Sequence, residues 1–454
     1  MFTITELTNA AGGRVIASGF GANVRSVSTD SRTIGPDEAF CAIRGENFDG
    51  HDFILQAVRR GAGCVIAENG RCIDAGTGVT VIEVPDTVKA YGAIARFHRR
   101  RFNIPVIGIT GSNGKTTTKD MLARILSAKY ATLKSEGTRN NHIGVPATLL
   151  QLGPSHTCAV IEFGTNHPGE IAYLSGICEP TMALITNVGP SHLEYFRDLA
   201  GVYREKADIL GSSPGLRAAF LNADDRMLRK RLARRTSMPL CIGFGISNPC
   251  DFRARDVKND ARGFCFSMHR SASIRLSTPG ECNVYNALAA VAVSRVLGMS
   301  YPVIAARLKD FVFPRGRLTM RTVEDVRFID DSYNANPRSM AQALDALRRS
   351  AVEGGRRVLV MGDMLELGPG TERFHRDAGR RAAGSCDVFI AVGRHSALAA
   401  NAALSRGFER VNVFSCETPA QARDILYKTV AVRKNDVVLV KGSRGMKLEQ
   451  IIEP

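Results

Sequence analysis

Residues 106–118 place a glycine-rich turn between an apolar strand pattern and a helical pattern. The turn contains Gly111 and Gly114 and ends in Lys115 and Thr116. The glycines let backbone N–H groups curl around anionic oxygens, because no Cβ stands in the way. A lysine at this position can reach the β- and γ-phosphates of a nucleotide, and the threonine hydroxyl after it can ligate Mg²⁺. The segment predicts a phosphate-binding loop at the N-terminal dipole of a helix.

The loop departs from the strict P-loop pattern at one position. A strict loop has glycine five residues before Gly114, where this chain has Ile109. Matches to Gly-Lys-Thr also occur by chance, and the alternative is a strand–turn–helix with an exposed lysine. We favour nucleotide binding, because a buried strand pattern precedes the turn and a helix follows it.

Two polar residues follow apolar strand patterns further along the chain. Glu162 ends the run 159–161, and Gly164 soon after it leaves space for a ligand. A carboxylate at a strand end beside a phosphate loop suits a metal ion, and the alternative is a surface glutamate. His192 lies just beyond the next strand pattern, where a lone histidine more often packs than binds metal. Its position after the strand that follows Glu162 favours the metal role.

Two other segments are open to more than one interpretation. Lys206 lies in a helical pattern and is predicted to be a solvated lysine, since an ammonium cannot ligate Mg²⁺. A strand pattern ending at Asp331 opens a polar loop that includes Asn334 and Asn336. Asp331 can bond a ribose hydroxyl or a metal-bound water, and the alternative is a loop that caps the next helix. The mixture of Asp, Tyr and Asn is denser than a cap needs.

Alternating strand and helix patterns divide the chain into three α/β units. We expect domains over 1–103, 104–317 and 318–454. The alternation predicts a mostly parallel, doubly wound sheet in the central unit and a Rossmann-like α/β domain at the C-terminus. Strand patterns cover 39–43, 63–67, 79–84, 157–162, 181–188, 326–330, 357–361, 388–392 and 436–440, and helical patterns cover 89–101, 117–126 and 339–349. Sites in such sheets gather at the carboxyl ends of strands, where Glu162 and Asn187 both lie.

The composition is that of a multidomain globular protein. A chain of 454 residues exceeds what one hydrophobic core supports, and 44% hydrophobic with 23% charged residues is ordinary. No signal peptide is visible, and no run approaches the roughly 20 apolar residues that span a bilayer. The eleven cysteines lack CxxC spacing, which fits reduced thiols. We expect a cytoplasmic protein without membrane insertion.

The net charge of +16 is unusual and raises the question of nucleic-acid binding. Arginines cluster at 99–101 and 226–235, but almost no aromatic residues are interleaved and tryptophan is absent. A single-strand binder needs aromatic stacking platforms there. We therefore interpret the clusters as solvated basic helix faces and expect no nucleic-acid partner.

Over essentially its whole length the chain resembles the Mur ligase superfamily. The loop 110–116 has the family form TGxxGKT, which explains the missing early glycine. Residues 28–32 and 44–51 resemble the family's uridine-nucleotide-binding first domain. Residues 136–146 and 330–337 are most characteristic of the branch that adds D-alanyl-D-alanine to UDP-N-acetylmuramoyl-tripeptide. The Asp-Asn-Pro-Arg motif of the diaminopimelate-adding ligases does not occur in this chain.

The resemblance implies roles for individual residues. Thr116 and Glu162 would hold Mg²⁺ at the nucleotide, His192 would help to hold a second ion, and Lys206 matches a lysine that the family uses as a carbamate. Carbamylation turns that cation into an oxygen ligand. The implied catalytic residues are Lys115, Glu162, His192 and Lys206, and ATP would contact Gly111, Ser112, Asn113, Gly114, Lys115, Thr116, Thr117, Asn286, Arg317 and Asp331. Substrate would contact Ser31, Arg32, Arg44, Thr138, Asn140, Asn141, Asn334 and Asn336.

The nucleotide site departs from the family pattern at one position. The family usually has His-Asn where this chain has Cys282-Asn283. A cysteine cannot reproduce an imidazole donor, so the change bears on nucleotide affinity beside Asn286, which would contact the adenine region. Arg317 and Asp331 would bind phosphate and ribose from the closing third domain.

The reaction implied by the resemblance is an ATP-dependent amide ligation. ATP and two Mg²⁺ ions would activate a carboxylate of UDP-N-acetylmuramoyl-tripeptide as an acyl phosphate, which the amine of D-alanyl-D-alanine then attacks. The third residue of the tripeptide is lysine or diaminopimelate, and we expect a monomer. The alternatives are another carboxylate–amine ligase, of the diaminopimelate-adding or folylpolyglutamate type, or a nucleic-acid-stimulated P-loop ATPase.

Overall fold

The computed structural model describes residues 1–19, 21–45, 47–71, 76, 78–233, 239–260, 262–269, 272–350 and 354–452. Three mostly parallel sheets follow one another along the chain, with helices packed against them. The predicted α/β fold class is confirmed, whereas the domain boundaries near 103 and 317 stay predictions. Glu46, Arg234 and Arg235, which belong to patterns named above, lie outside the described residues.

The first sheet has five strands, and only its edge strand runs antiparallel to its neighbour. The order is Arg14–Ala17, Thr80–Val84, Cys64–Glu68, Ala39–Cys41 and Val27–Ser28, and Phe2–Thr3 pairs separately with Asn23–Val24. Helices Ile4–Ala11, Ile54–Arg59 and Thr87–Arg99 accompany this sheet. The first helix begins with a capping box between Thr3 and Glu6, which satisfies two free backbone donors.

The central sheet has seven strands, and all six pairs are parallel. The order is Phe252–Arg253, Leu240–Gly245, Ala218–Asn222, Met182–Ile185, Val106–Thr110, Cys158–Glu162 and Thr132–Lys134. The buried central strands read as continuous apolar runs, as expected when both faces of a parallel sheet are covered. The strand predicted over 181–188 ends at Ile185, because Thr186 and Asn187 leave the sheet to bind the phosphate loop.

The helix after the phosphate loop packs against the longest apolar helix of the domain. Lys115–Leu126 and Cys282–Val296 share one buried core, which includes Leu122, Ile125 and Val291. The other helices of this domain are Gly144–Leu149, Glu170–Cys178, Leu193–Phe196, Leu199–Ala207, Arg226–Leu232 and Tyr301–Lys309.

A three-stranded antiparallel sheet also packs against this core and was not predicted. Its strands are Arg255–Asp260, Gly263–His269 and Ala272–Leu276. The first strand is mostly exposed and rich in charge, so it carries no apolar run. Phe264, Phe266 and Ile274 provide the buried contacts.

The C-terminal sheet has six strands, of which only the first pair is antiparallel. The order is Thr319–Val323, Val326–Asp331, Val437–Lys441, Arg357–Gly362, Val388–Val392 and Val413–Cys416. Its helices are Pro337–Arg349, Thr371–Ala382, Arg394–Leu404 and Pro419–Asp424. Asn336 caps the first of these helices and proline follows at its first position, as helix starts favour.

The arginine cluster 99–101 is not the solvated basic face that the sequence predicted. Arg99 is buried and donates to three backbone carbonyls, and Arg100 forms an ion pair with Glu179. The Arg101 guanidinium lies over the rings of Phe2 and Phe97. These arginines are part of the packing between the first and central sheets. No helix in the described ranges is long and apolar enough to cross a membrane.

Candidate active site

A cavity of about 640 Å³ lies between the central and C-terminal sheets. The loops that line it follow the carboxyl ends of strands in both sheets, as is usual for ligand sites in parallel α/β folds. The central domain contributes the phosphate loop, and the C-terminal domain contributes the segments 331–339, 365–367 and 441–445. The predicted residues that line it are Ser112, Asn113, Gly114, Lys115, Thr116, Thr117, Thr138, Asn140, Asn141, Glu162, His192, Asn286, Arg317, Asp331, Asn334 and Asn336.

The glycines of the phosphate loop are required by close backbone approaches. Gly111 has φ +145°, and a Cβ there would lie 2.0 Å from Thr186 Oγ1. Gly114 has φ +82°, and its Cβ would lie 2.1 Å from Asn286 Oδ1. Both positions therefore exclude other residues, which explains the glycine spacing read from the sequence.

Residues that follow the neighbouring strand Met182–Ile185 hold the phosphate loop in its conformation. Thr186 Oγ1 donates to Asn113 O at 2.6 Å, and Asn187 Nδ2 donates to the same oxygen at 3.0 Å. Asn187 Oδ1 accepts from Asn113 N at 3.1 Å, while Ser112 exchanges hydrogen bonds with Gly189. The loop is therefore preorganised by two residues that belong to no phosphate motif.

Lys115 and Thr116 lie where the motif predicts. Lys115 Nζ donates to Gly111 O at 3.0 Å, and burial lowers the pKa of its ammonium, with Glu162 opposing that shift. Thr116 Oγ1 donates to Glu162 Oε1 at 3.2 Å, and Asn140 Nδ2 donates to the same oxygen at 2.8 Å. The phosphate loop, Glu162 and the loop that holds Asn140 form one hydrogen-bonded unit.

Lys119 is a buried cation that sequence reasoning missed. It lies one helical turn after Lys115 and is fully buried. Its Nζ donates to Gly137 O at 2.8 Å and lies 3.8 Å from Glu162 Oε2. Its only sequence signal is the spacing of four residues from Lys115, which puts both lysines on one side of the helix.

His192 and Glu366 meet across the domain boundary. His192 directly precedes the helix Leu193–Phe196 and has left-handed backbone angles of φ 51° and ψ 37°. Its Nδ1 lies 2.5 Å from Glu366 Oε2. The hydrogen bond with His192 is the main reason why the pKa of Glu366 lies below its ordinary value. Sequence reasoning missed Glu366, because 174 residues separate it from its partner.

Lys206 is deeply buried rather than solvated. The residue is 2% exposed, it is not among the cavity-lining residues, and its side chain forms no hydrogen bond with the described residues. Burial and then the charge of Lys115 lower its pKa from 10.5 to about 7, and Glu205 partly opposes this. The prediction of a solvated helix lysine was therefore wrong, because the helix Leu199–Ala207 turns this face toward the core.

The C-terminal wall is rich in cations. Lys441 Nζ donates to Asp331 Oδ2 at 2.6 Å and to Asn334 O at 2.9 Å. Burial raises the pKa of Asp331, although the ammonium of Lys441 opposes this. The guanidinium of Arg317 lies 4.0 Å from the ring centroid of Tyr333. Lys441 ends a buried strand, so the strand-end rule applied to 436–440 could have found it.

Asn286 lies beside the phosphate loop on the helix Cys282–Val296. Its Oδ1 accepts from Thr118 Oγ1, and its Nδ2 donates to Asn283 Oδ1 at 2.9 Å. Cys282 lines the cavity next to this pair, and burial raises the pKa of its thiol to about 12. At this edge the chain therefore presents a neutral thiol.

Three predicted residues of the first domain lie outside the cavity. Ser31 Oγ donates to Gln56 Oε1, Arg32 pairs with Asp30, and Arg44 forms an isolated bridge with Asp49. None of the three lines the space between the other two sheets. Their role in binding substrate stays a prediction.

The Thr116–Glu162 pair has the chemistry that a divalent cation requires. Glu162 is 1% exposed, and its Oε2 has no hydrogen-bond partner. A buried carboxylate oxygen that accepts no hydrogen bond, beside a threonine hydroxyl, fits Mg²⁺, which takes few protein ligands and completes its shell with phosphate and water. No group of three or more His, Cys, Asp or Glu side chains that could hold a metal ion occurs among the described residues.

Comparisons with known proteins identify the family of the chain. The Mur ligase family, catalytic domain matches residues 23–99, the Mur ligase middle domain matches 109–294, and the Mur ligase, glutamate ligase domain matches 316–444. The chain is 36% identical over 455 residues to the UDP-N-acetylmuramoyl-tripeptide–D-alanyl-D-alanine ligase of Escherichia coli (strain K12), covering 99% of this chain and 97% of that one. The ligase of that name from Bacillus subtilis (strain 168) is 33% identical, covering 95% and 93%.

Solved structures extend the likeness to the whole fold. The crystal structure of MurF from Acinetobacter baumannii gives a TM-score of 0.89 at 34% identity, covering 99% of this chain and 98% of that chain. MurF ligase from Thermotoga maritima in complex with ADP gives 0.83 at 28% identity, covering 94% and 96%. The resemblance read from the motifs is confirmed, and the chain belongs to the Mur ligase family.

Proposed function

We propose that the chain joins D-alanyl-D-alanine to the terminal carboxylate of UDP-N-acetylmuramoyl-tripeptide with cleavage of ATP to ADP and phosphate. The observation that carries this proposal is the cavity in which the phosphate loop and Glu162 face Arg317 and Lys441 of the opposite wall. Relatives that match nearly the whole chain are ligases named for that reaction. A cluster of cations around a phosphate loop is what transfer of a γ-phosphoryl group to a carboxylate needs.

In the first step, a carboxylate oxygen of the acceptor forms a bond to the γ-phosphorus of ATP. The bond between that phosphorus and the bridging oxygen breaks, and ADP leaves. Lys115 and Arg317 offset the negative charge that gathers on the phosphate oxygens, while the backbone N–H groups of 111–114 orient them. The loop supported by Thr186 and Asn187 keeps these donors in place before substrate arrives.

In the second step, the amine of D-alanyl-D-alanine attacks the acyl carbon. A C–N bond forms, the C–O bond to phosphate breaks, and the amine loses one proton. Thr138, Asn140 and Asn141 lie on the cavity wall next to Glu162, and we assign them to the acceptor. The first-domain residues Ser31, Arg32 and Arg44 are assigned to the distant uridine end of the same substrate.

Two Mg²⁺ ions form part of this proposal. Thr116 and Glu162 would hold one, and His192 with a carbamylated Lys206 would hold the other. When bound, the ions supply positive charge that offsets the phosphate oxygens. In this assignment Arg317 and Asp331 position the phosphates and ribose, and Asn286 borders the adenine.

The lowered pKa of Lys206 supports its carbamylation. An amine attacks CO₂ through its nitrogen lone pair, so it must first lose its proton. A C–N bond then forms, the amine gives up a second proton, and an anionic carbamate remains. A lysine with a pKa of about 7 carries a neutral amine in at least half of the molecules near physiological pH. An ordinary lysine is almost fully protonated at that pH.

A ligation assay with each component omitted in turn tests the proposal. The full mixture holds UDP-N-acetylmuramoyl-tripeptide, ATP, Mg²⁺ and D-alanyl-D-alanine, and product is followed together with phosphate release. We expect product only in the full mixture, no product with Lys115→Ala, and unchanged rates with the exposed control Lys230→Ala. Equal turnover with other amine acceptors, or phosphate release that rises only with added RNA or DNA, would contradict the assignment.

A further inference from the structure

Two loops from different domains meet at one side chain pair. His192 follows a strand of the central sheet, and Glu366 follows the strand Arg357–Gly362 of the C-terminal sheet. Their side chains bond through His192 Nδ1 and Glu366 Oε2. Because each residue is anchored in its own sheet, the bond exists only while the two domains hold this relative position.

The backbones of the two loops are also in direct contact around this pair. Glu194 N donates to Glu366 O at 3.3 Å, and a Cβ on Gly368 would lie 3.1 Å from Glu194 Cα. His192 and Glu366 both have positive φ, of 51° and 60°. Non-glycine residues in the left-handed region persist only where the surroundings over-determine them, and such strain concentrates at functional sites. Two strained residues that bond to each other indicate a built contact rather than a chance approach.

The bond has a direct consequence for the imidazole. A glutamate with its ordinary pKa is ionised at neutral pH, and a carboxylate can only accept a hydrogen bond. His192 must therefore carry a proton on Nδ1. In neutral imidazole this leaves the lone pair on Nε2, the nitrogen that can bind a cation or accept a proton. A carboxylate behind a histidine commonly orients metal-binding imidazoles in this way.

No second group fixes the His192 ring among the described residues. Phe196 approaches it edge-on at 6.3 Å between ring centroids and offers no hydrogen bond. His167, another histidine that lines the cavity, makes a tilted ring contact with Tyr195 and pairs with Glu170 instead. The tautomer and direction of His192 thus depend on Glu366.

We propose that Glu366 is a positioning residue through which closure of the C-terminal domain sets the tautomer of His192 and turns Nε2 toward the reacting phosphate. The inference rests on the proposed function in one respect, namely that His192 acts beside the phosphates of ATP. Closure of the C-terminal domain would then do more than exclude water from the cavity. It would also orient His192 of the central domain for binding. An open arrangement leaves His192 without this acceptor.

The first test reads the tautomer directly. Uniformly ¹⁵N-histidine-labelled full-length protein is compared with Glu366→Ala, Glu366→Gln and the control Glu372→Ala, and His192→Gln identifies the signal. Glu372 is an exposed residue of the same domain, and within the described ranges it pairs only with Arg376. We expect the Nδ1–H form in the wild type and in Glu372→Ala, a shift toward Nε2–H in Glu366→Ala, and retention in Glu366→Gln, whose amide oxygen still accepts. An unchanged tautomer in Glu366→Ala would overturn the inference.

The second test measures the Mg²⁺ dependence of ligation in the same proteins. Loss of an orienting partner typically costs about 10- to 100-fold in metal affinity or activity. We expect Glu366→Ala to need more Mg²⁺ for half-maximal rate and to lose kcat, with the KM for D-alanyl-D-alanine little changed and Glu366→Gln intermediate. A tautomer shift with unaltered Mg²⁺ dependence also overturns the inference. If the wild type makes no product, the proposed function fails, while the spectra still decide the role of Glu366.

Discussion

Asn113 of the phosphate loop and Asn336 at the start of the helix Pro337–Arg349 exchange amide hydrogen bonds between two domains. Asn336 Nδ2 donates to Asn113 Oδ1 at 2.7 Å, and Asn113 Nδ2 donates back at 3.4 Å. Arg338, two residues later, reaches Val188 O and Asp225 Oδ2 of the central domain. The loop that would hold phosphate is therefore in direct contact with the domain that closes over it.

Asn336 does two jobs that substitutions can separate. Its Oδ1 caps the helix by accepting from Ser339 N, while its Nδ2 binds Asn113. Aspartate keeps the cap but cannot donate to Asn113, so Asn336→Asp should keep its melting temperature and lose several-fold in kcat. Asn336→Ala should lose both functions and about 1 kcal/mol of stability. Thermal melts and steady-state ligation rates measure the two effects.

Thr418 provides the matched control for the loss of a cap. It caps the helix Pro419–Asp424 of the same domain and is not among the cavity-lining residues. Thr418→Ala should lose comparable stability without loss of kcat. Wild-type kcat in Asn336→Asp would show that the amide pair does not contribute to turnover.

The sequence predicted the parts of the site that follow the strand-end rule. Thr116, Glu162 and Asp331 follow or end buried apolar strands, and parallel strands bring their carboxyl ends to one edge. Lys119 and Glu366 could not be found this way. The partners of Lys119 come from a separate loop and strand, and the contact of Glu366 depends on how two domains meet.

The same distinction holds for the fold. Buried strands such as Val388–Val392 were predicted to the residue, because both faces are covered and the run is continuously apolar. The exposed ribbon that begins at Arg255–Asp260 was missed, since its charged residues face solvent. Arg99 was misread because sequence shows its charge but not the three carbonyls that receive its hydrogen bonds.

Lys119 is expected to stabilise the site before Mg²⁺ arrives. It is the only cation among the described residues paired with Glu162 in the structure, and it also fixes Gly137. Removing one member of a buried ion pair costs on the order of 3 kcal/mol, because the other charge stays buried. Lys119→Met should therefore lower the free energy of unfolding by that order, as measured by urea denaturation. Mg²⁺ with ADP should reduce the difference in the free energy of unfolding between the wild type and Lys119→Met, since the ion would replace the missing positive charge beside Glu162.

Lys134 is the control for Lys119. It pairs with Asp120 at 2.6 Å, as Lys119 does at 3.7 Å, but its side chain is 45% exposed. Exposed ion pairs contribute little, so Lys134→Met should change stability by less than about 1 kcal/mol. Equal losses in the two variants would show that the burial beside Glu162 is unimportant.

Replacement of Lys206 should abolish ligation and raise the stability of the protein by an amount that depends on pH. In CO₂-free buffer the folded pKa is about 7, against about 10.4 in the unfolded chain. Between these values the unfolded state binds more protons, so wild-type stability should rise with pH from 7 to 10. Below pH 7 Lys206 is protonated in both states, and the full cost of burying its charged ammonium lowers the stability of the folded protein. Lys206→Met, of similar length, should therefore stabilise the protein most near pH 6, with the gain fading toward pH 10 and ligation lost throughout.

The carbamate itself has a separate signature. With ¹³C-bicarbonate, the wild type should show a carbamate resonance in ¹³C spectra, and Lys206→Met should not. The exposed control Lys230→Met should keep the resonance. A stability gain that does not vary with pH would mean that Lys206 is not the neutral amine described above.

Arg99 is expected to couple the first and central domains. Its Nε donates to Cys178 O, its Nη2 to Glu179 O and its Nη1 to Phe102 O, at 3.1, 3.3 and 2.7 Å. The first two carbonyls end the helix Glu170–Cys178, where positive charge is favoured. Because an ammonium is compact and cannot span three acceptors, Arg99→Lys should leave buried carbonyls unpaired and cost about 2 kcal/mol in urea denaturation. Arg100→Lys, at an exposed pair with Glu179, should cost less than about 1 kcal/mol. If Arg99→Lys costs no more stability than Arg100→Lys, the three hydrogen bonds of Arg99 do not contribute measurably to the contact between the two domains.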